Sequence, residues 1–358
     1  MLNRRRLLAA AAALAGTSAL PSQAGSRALR DIAAARGILF GTAAGSYQLA
    51  EADFAGVLAR EANILVPEYE LKRLIVEPQP GRFDFSGADR LTAFAGAHGM
   101  AMRGHTLVWY AANPPWLEEK ILSAPDDEIL TDFVSRCMGR YRGRTHSWDV
   151  VNEALQPDEG RADGLRGSAW LKRFGPGYID LAYACAKRAD PNAMLVYNDW
   201  GCEGGEAWND RFRAATLRFL EGAKARHVPI EGLGLQGHLN AFGPPLDQKK
   251  LRSFLDAVRA MGLKILVTEL DVDDSKAPLD IVARDRAVAD ATARFLDVVL
   301  DNSATVAVLT WGLSDRYLHK PEGMRAMLSG YLPRKLPFDA DLKRKPMAEA
   351  IARAFARR

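Results

Sequence analysis

From Ile38 onward the chain alternates short apolar runs rich in β-formers with longer stretches whose apolar positions recur at helical spacing. Eight runs read as strands: Ile38–Ala44, Asn63–Pro67, Ala101–Trp109, Ser147–Asn152, Met194–Asn198, Gly232–Gly237, Lys264–Glu269 and Thr305–Trp311. Between them, stretches such as Tyr178–Arg188, Asp210–Ala225, Leu251–Met261 and Asp285–Leu300 read as amphipathic helices. No Pro/Gly/Ser-rich linker or low-complexity tract interrupts the alternation. Repeated βα units predict an α/β protein. Eight of them predict a closed (β/α)8 TIM barrel in a single domain, residues 25–358, rather than an open doubly wound sheet.

Composition narrows the class further. Of 358 residues, 48% are hydrophobic and 26% charged, enough to bury a large core without disulfides or metal and too apolar for a disordered or collagen-like chain. The 48 basic and 44 acidic residues nearly balance, which argues against a nucleic-acid partner and suits a neutral polymer. Cys137, Cys185 and Cys202 are an odd set without metal-ligand spacing, and the two in helical stretches read as small buried side chains. The N-terminus stands apart. Asn3-Arg4-Arg5-Arg6-Leu7-Leu8 opens an Ala-rich apolar run to about Leu20, and Ser22-Gln23-Ala24 is a small-x-small cleavage site. Residues 1–24 read as an export signal of twin-arginine type. The run is short for a bilayer span, which needs about 20 apolar residues, so an exported, periplasmic or extracellular protein without integral membrane association is expected.

In a (β/α)8 barrel the chemistry sits at the carboxyl ends of the strands. There the chain gathers polar groups: Arg103-Gly104-His105 after strand three, Asn152-Glu153 after four, Asn198-Asp199-Trp200 after five, Gln236-Gly237-His238 after six and Glu269-Leu270-Asp271 after seven. Such groups are costly in a core and natural in a sugar cleft. Glycosidic cleavage needs one protonated and one ionised carboxyl group across the scissile bond. Glu153 and Glu269, on strands that face each other over the barrel mouth, fit that pair. Glu153 alone could equally be a helix N-cap, and it is the partner glutamate that shifts the balance. His238 can donate to Glu269 while Asp271 holds the imidazole in one tautomer, which suits Glu269 to the nucleophile role and leaves Glu153 the acid/base. Asn152 is placed to reach a sugar 2-hydroxyl. His105 and His238 share this rim with several acids, but no ligand spacing supports a metal site, and no cofactor is expected.

Six strings in order resemble glycoside hydrolase family 10, the barrel family of endo-β-1,4-xylanases: Pro80-Gly81-Arg82-Phe83-Asp84-Phe85, Arg103 to Trp109, Trp148 to Glu153, Leu235 to Leu239, Thr268 to Asp271 and Trp311 to Asp315. The resemblance spans nearly the whole mature chain. It implies a retaining double displacement on xylan or xylo-oligosaccharides, with Glu153 as acid/base and Glu269 as nucleophile. It further implies that Glu68 and Lys72 hydrogen-bond the non-reducing-side sugars, that Trp116 and Trp311 wall the cleft, and that Asn152, Gln236 and His238 surround the sugar being cleaved, with His105 in a hydrogen-bonding role. Three positions depart from the pattern. Tyr69 stands where the family usually has Asn, Tyr110 where it has His, and His319 near where a Trp commonly roofs the cleft. All three are expected on the side that holds the transferred sugar, so another β-glycan or short decorated xylo-oligosaccharides is the alternative substrate. A carbohydrate-binding protein without turnover is the remote alternative, and a monomer is expected.

The leader is testable by itself. Replacing Arg4 and Arg5 with Lys is expected to leave an active enzyme that accumulates in the cytoplasm, read by fractionation and activity assay; unchanged export would point to another route.

Overall fold

The computed structural model describes residues 27–275, 280–318 and 331–357. Residues 1–24 and His319 lie outside the described residues. Among the described residues nine strands form: β1 (Leu39–Ala44), β2 (Ile64–Pro67), β3 (Ala101–Gly104), β4 (Ser147–Asn152), β5 (Met194–Asp199), β6 (Gly232–Leu235), β7 (His238–Asn240), β8 (Lys264–Asp273) and β9 (Thr305–Thr310). All pairings among them are parallel, in the cycle β1-β2-β3-β4-β5-β6-β8-β9, which β9 closes on β1. Helices lie between the strands, including Gly177–Ala189, Ala207–Ala225, Gln248–Ala260 and Ile281–Val299. The expected eight-stranded barrel is therefore present.

Alternation along the strands divides the core. Ala43, Ile64, Val66, Val196, Leu266, Ala307 and Leu309 pack with one another in a small cluster, the filled centre of the barrel. Their neighbours on the opposite face, such as Phe40, Leu65, Leu195 and Val267, join the larger layer beneath the helices. Helix starts are fixed locally: Asp247 accepts from the backbone N–H groups of Lys249 and Lys250 at 3.1 and 3.0 Å, and Asp280 from that of Val282 at 3.0 Å. The three cysteines are buried and unpaired. Among the described residues, no helix is long and apolar enough to cross a membrane.

Three strand boundaries differ from the sequence expectation by more than one residue, each at the rim. The sixth strand divides where Gly237 takes a left-handed φ of 80°, and the short β7 then pairs with the upper part of β8, His238 opposite Asp271. That pairing extends β8 four residues past Glu269, to Asp273. The third strand ends at Gly104 instead of Trp109, and the indole of Trp148, from β4, covers that glycine. A Cβ at Gly104 would lie 2.1 Å from that ring. Beyond it the chain still follows β4, with Leu107 N–H on Asp149 C=O and Val108 N–H on Val150 C=O, both at 3.0 Å.

Gly104→Ala is accordingly expected to destabilise the barrel by about 3 kcal/mol, the upper end of ordinary overpacking, and to displace His105. Chemical denaturation of the variant checks this; an unchanged midpoint would mean Trp148 can move away without cost.

Candidate active site

At the carboxyl end of β4, Glu153 turns out of the strand with φ 55°, a left-handed conformation that costs a residue with a Cβ on the order of 1–2 kcal/mol. Backbone bonds hold it there: Glu153 N–H donates to Asn198 C=O at 2.9 Å, and Arg166 Nε donates to Glu153 C=O at 2.9 Å. The carboxylate, in a residue only 9% exposed, accepts at Oε1 from Gln236 Nε2 at 2.9 Å and from Asn152 Nδ2 at 3.3 Å. Glu269, 5% exposed, lies in β8. Its Oε1 accepts from Asn198 Nδ2 at 2.9 Å, and its Oε2 lies 3.3 Å from His238 Nε2.

Asn198 links the two carboxylates. Its Oδ1 accepts from the Thr268 hydroxyl at 2.7 Å, which turns the amide so that Nδ2 faces both Glu269 and Asn152 Oδ1, the latter at 2.9 Å. Gly234 makes room for it, since a Cβ there would sit 2.2 Å from Asn198 Oδ1. Behind Glu269, His238 Nδ1 meets Asp271 Oδ1 at 2.8 Å, and Lys335 Nζ meets Asp271 Oδ2 at 3.4 Å. Glu269, His238, Asp271 and Lys335 thus form a row of alternating charge.

The row sets the protonation states. Burial by itself would push the Glu269 carboxyl up, but the His238 hydrogen bond, the neighbouring His105 and His238 charges and the Asn198 amide together hold it at about 2. It is ionised throughout any working range. His238 has one edge open to solvent; crowding by the protein works against its charge, yet Asp271 and Glu269 outweigh that and hold it well above the ordinary imidazole value. On the Glu153 side the opposite occurs. Burial pushes the Asp199 carboxyl up to about 8, the Tyr197 hydroxyl opposes this and the Glu153 charge adds to it.

His105 is fixed by Asp149, whose Oδ2 lies 2.9 Å from Nδ1 while Oδ1 pairs with the buried Arg103. Its ring meets Trp311 edge to face at 5.4 Å. Lys72 Nζ lies 5.3–5.4 Å from the ring centroids of Tyr69, Trp109 and Trp311. Burial lowers its pKa, and the charges of Glu269, Glu68 and Glu153 counter the fall. Burial and the neighbouring Glu68 carboxylate push the Tyr69 hydroxyl up.

The structure thus brings Glu153, Glu269, Asn152, Gln236, His238, Asp271, His105, Lys72, Glu68, Tyr69 and Trp311 to one mouth. Trp116 is placed differently: its ring lies against the Arg73 guanidinium at 5.6 Å and its N–H donates to Pro78 C=O at 3.2 Å. Nothing in those contacts ties it to the glutamates. Tyr110 lies against Arg166 and beside Glu153. Asn198, Thr268, Asp199, Arg166 and Lys335 belong to the site and were not singled out by sequence. Asn198 and Asp199 carried a signal in their position at a strand end.

Comparison with known proteins follows the same geometry. The family model for glycosyl hydrolase family 10 matches residues 28–354. The chain belongs to that family. It is 33% identical to endo-1,4-beta-xylanase B of Thermotoga neapolitana over 90% of this chain and 90% of that protein. It is 35% identical to endo-1,4-beta-xylanase A of Caldicellulosiruptor sp., over 73% of this chain but only 39% of that longer protein. Native xylanase 10B from Thermotoga maritima superposes with a TM-score of 0.80 at 31% identity, covering 92% of this chain and 98% of that one. Xylanase 10B from Thermotoga petrophila, solved with xylobiose, gives 0.80 at 30% identity over 92% and 97%. As a family 10 member the chain is a glycoside hydrolase.

Asp199 makes stability depend on pH. A free aspartate titrates near about 3.9, so between that value and about 8 the folded state binds the extra proton. Its contribution is complete below the lower value and is lost as pH rises through the upper one. Asp199→Asn, which cannot ionise, is expected to flatten the fall of the thermal midpoint between pH 5 and pH 8; a variant with the wild-type slope would show that Asp199 does not carry it.

Proposed function

We propose that the chain is a retaining endo-β-1,4-xylanase. The observation that carries this reading is the asymmetric pair of glutamates, one held ionised by His238 and the other held by amide donors at the opposite strand end. Glu269 attacks the anomeric carbon while Glu153 gives its proton to the departing glycosidic oxygen. Glu153, now ionised, takes a proton from the water that attacks the same carbon and releases Glu269. Asn152 meets the sugar 2-hydroxyl, a contact that strengthens as positive charge grows on the ring. Relatives and superposed structures named as xylanases, one holding xylobiose, support xylan as the substrate.

A second reading keeps the mechanism and changes the glycan, because Tyr69 and Tyr110 replace compact polar groups of the family strings with phenols. Tyr69 lies beside Glu68, the residue that the resemblance assigns to sugar binding. Product analysis across a panel of β-glycans, linear and decorated, separates the two. Residues 1–24 are proposed to be an export leader of twin-arginine type and residues 25–358 the catalytic domain, acting as a monomer.

The role split has its own test. Glu269→Ala is expected to abolish turnover on all substrates, whereas Glu153→Ala retains reaction with aryl glycosides whose leaving groups need no proton. Equal losses for Glu153→Ala on activated and unactivated substrates would reverse the assignment. In a substrate-bound structure the carboxyl groups should stand about 5–5.5 Å apart, the retaining separation.

A further inference from the structure

Among the described residues the exposed aromatic side chains are Tyr47, Tyr69 and Tyr110, on the connections that leave β1, β2 and β3 at their carboxyl ends. Scattered singly, such rings need no explanation; gathered on the rim that carries the glutamates, they point to a ligand. Tyr47 lies outside the six family-like strings. Its place follows from the strand order, in which β1 lies between β2 and β9. Glu68 and Lys72, which the resemblance assigns to the non-reducing-side sugars, follow β2, and Trp311, assigned to the cleft wall, follows β9. Tyr47, in the 3-10 turn Ser46–Ala50, is what β1 contributes between them.

One buried carboxylate ties the two loops together. Glu70 accepts from Ser46 N–H at Oε1 and from Tyr69 N–H at Oε2, the latter at 3.3 Å, and Glu68 N–H donates to Ala44 C=O at 3.0 Å. Tyr47 and Tyr69 are therefore neighbours across the two loops. The Tyr47 ring is itself fixed. It folds back over Gly45, where a Cβ would lie 2.5 Å from Cε1, and its hydroxyl accepts from Gln48 Nε2 at 3.4 Å. It meets Tyr317 edge to face at 6.1 Å, and Tyr317 packs in turn on Phe54 of the helix Ala52–Glu61 at 4.9 Å. Those contacts lead outward to the helix layer, whereas Lys72 Nζ stands inside, among Tyr69, Trp109 and Trp311. Tyr47 thus lies outward of the Lys72 cage, and its ring, held by three contacts, is still 56% exposed. A ring already immobilised loses little freedom when a ligand stacks on it. A β-linked xylopyranose carries its substituents equatorially, so both its faces present C–H groups suited to an aromatic surface. We propose that Tyr47 is a platform for the third sugar from the scissile bond on the non-reducing side, the next one out from those that Glu68 and Lys72 hold. The inference rests on the glycanase reading proposed above and makes the substrate a chain with at least three sugars on that side.

The 4-nitrophenyl β-glycosides of xylobiose and xylotriose differ by that one sugar, and release of nitrophenol counts only the register in which the aryl group takes the leaving side. With purified enzyme, kcat/KM is measured on both, since contacts remote from the reacting carbon appear in that ratio. The xylotrioside is expected to exceed the xylobioside by about tenfold in the wild type, and the two to become about equal in Tyr47→Ala, the scale of one lost apolar contact. Tyr47→Phe keeps the flat ring and should keep the wild-type preference. Tyr47→Leu keeps apolar bulk against Tyr317 and removes the flat face, so it should lose the preference and serves if the alanine variant folds poorly by thermal midpoint. A wild type indifferent to the third sugar, or a preference that survives in the alanine and leucine variants, would overturn the proposal. The same two lengths in the cello-series tell the failures apart. If the wild type cleaves only the cello pair, the xylan reading falls and the preference on that pair still tests Tyr47; if it cleaves neither pair, the glycanase reading falls and the platform with it.

Discussion

Two carboxylates buried at one barrel mouth sit in contrasting surroundings, and most of the polar structure at the rim builds that contrast. Charge is expensive where water is excluded, so an ionised Glu269 needs donors and a cation close by. The fold supplies them from three neighbouring strand ends: Asn198 from β5, His238 from β7 and Thr268 from β8, the last acting through Asn198. Among the described residues, the hydrogen bonds to the Glu153 carboxylate come from amides and not from a cation. The roles proposed for Glu269 as nucleophile and Glu153 as acid follow that difference in surroundings.

That arrangement depends on backbone features that look incidental along the chain. Gly237 lets the sixth strand swing aside and restart as β7, which puts His238 opposite Asp271. Gly104 lets Trp148 cross to β3, so that Asp149, the next residue, can hold both Arg103 and His105. Neither glycine carries chemistry. Each sets the spacing between residues that do.

The strands and the two glutamates were legible because both signals are local: apolar runs repeat with the βα period, and a carboxylate at a strand end stands out against them. What was not legible is pairing between distant elements. Nothing near Arg166 announces that its guanidinium will cap Glu153 and seat Tyr110, and nothing near Lys335 announces Asp271, 64 residues earlier. Trp116 shows the same limit. The resemblance makes Trp116 a cleft wall, and nothing in the sequence near it announces that the guanidinium of the buried Arg73 lies 5.6 Å from its ring. The packing of Trp148 on Gly104 is likewise a contact across the sheet that leaves no mark in the periodicity of residues 101–109.

The row from Glu269 through His238 and Asp271 to Lys335 has a consequence for how the enzyme meets its substrate. Two negative and two positive charges in alternation cancel at long range, so the row behaves as a short-range multipole whose field decays within a few ångströms of its end. That end is the Glu269 carboxylate, which faces the mouth. A neutral polysaccharide approaching from solution feels almost no pull and no torque from it, and capture is left to stacking and hydrogen bonds. Only an atom brought into contact with the carboxylate experiences the full negative potential, and in a sugar at the transition state the atom that turns positive is the anomeric carbon.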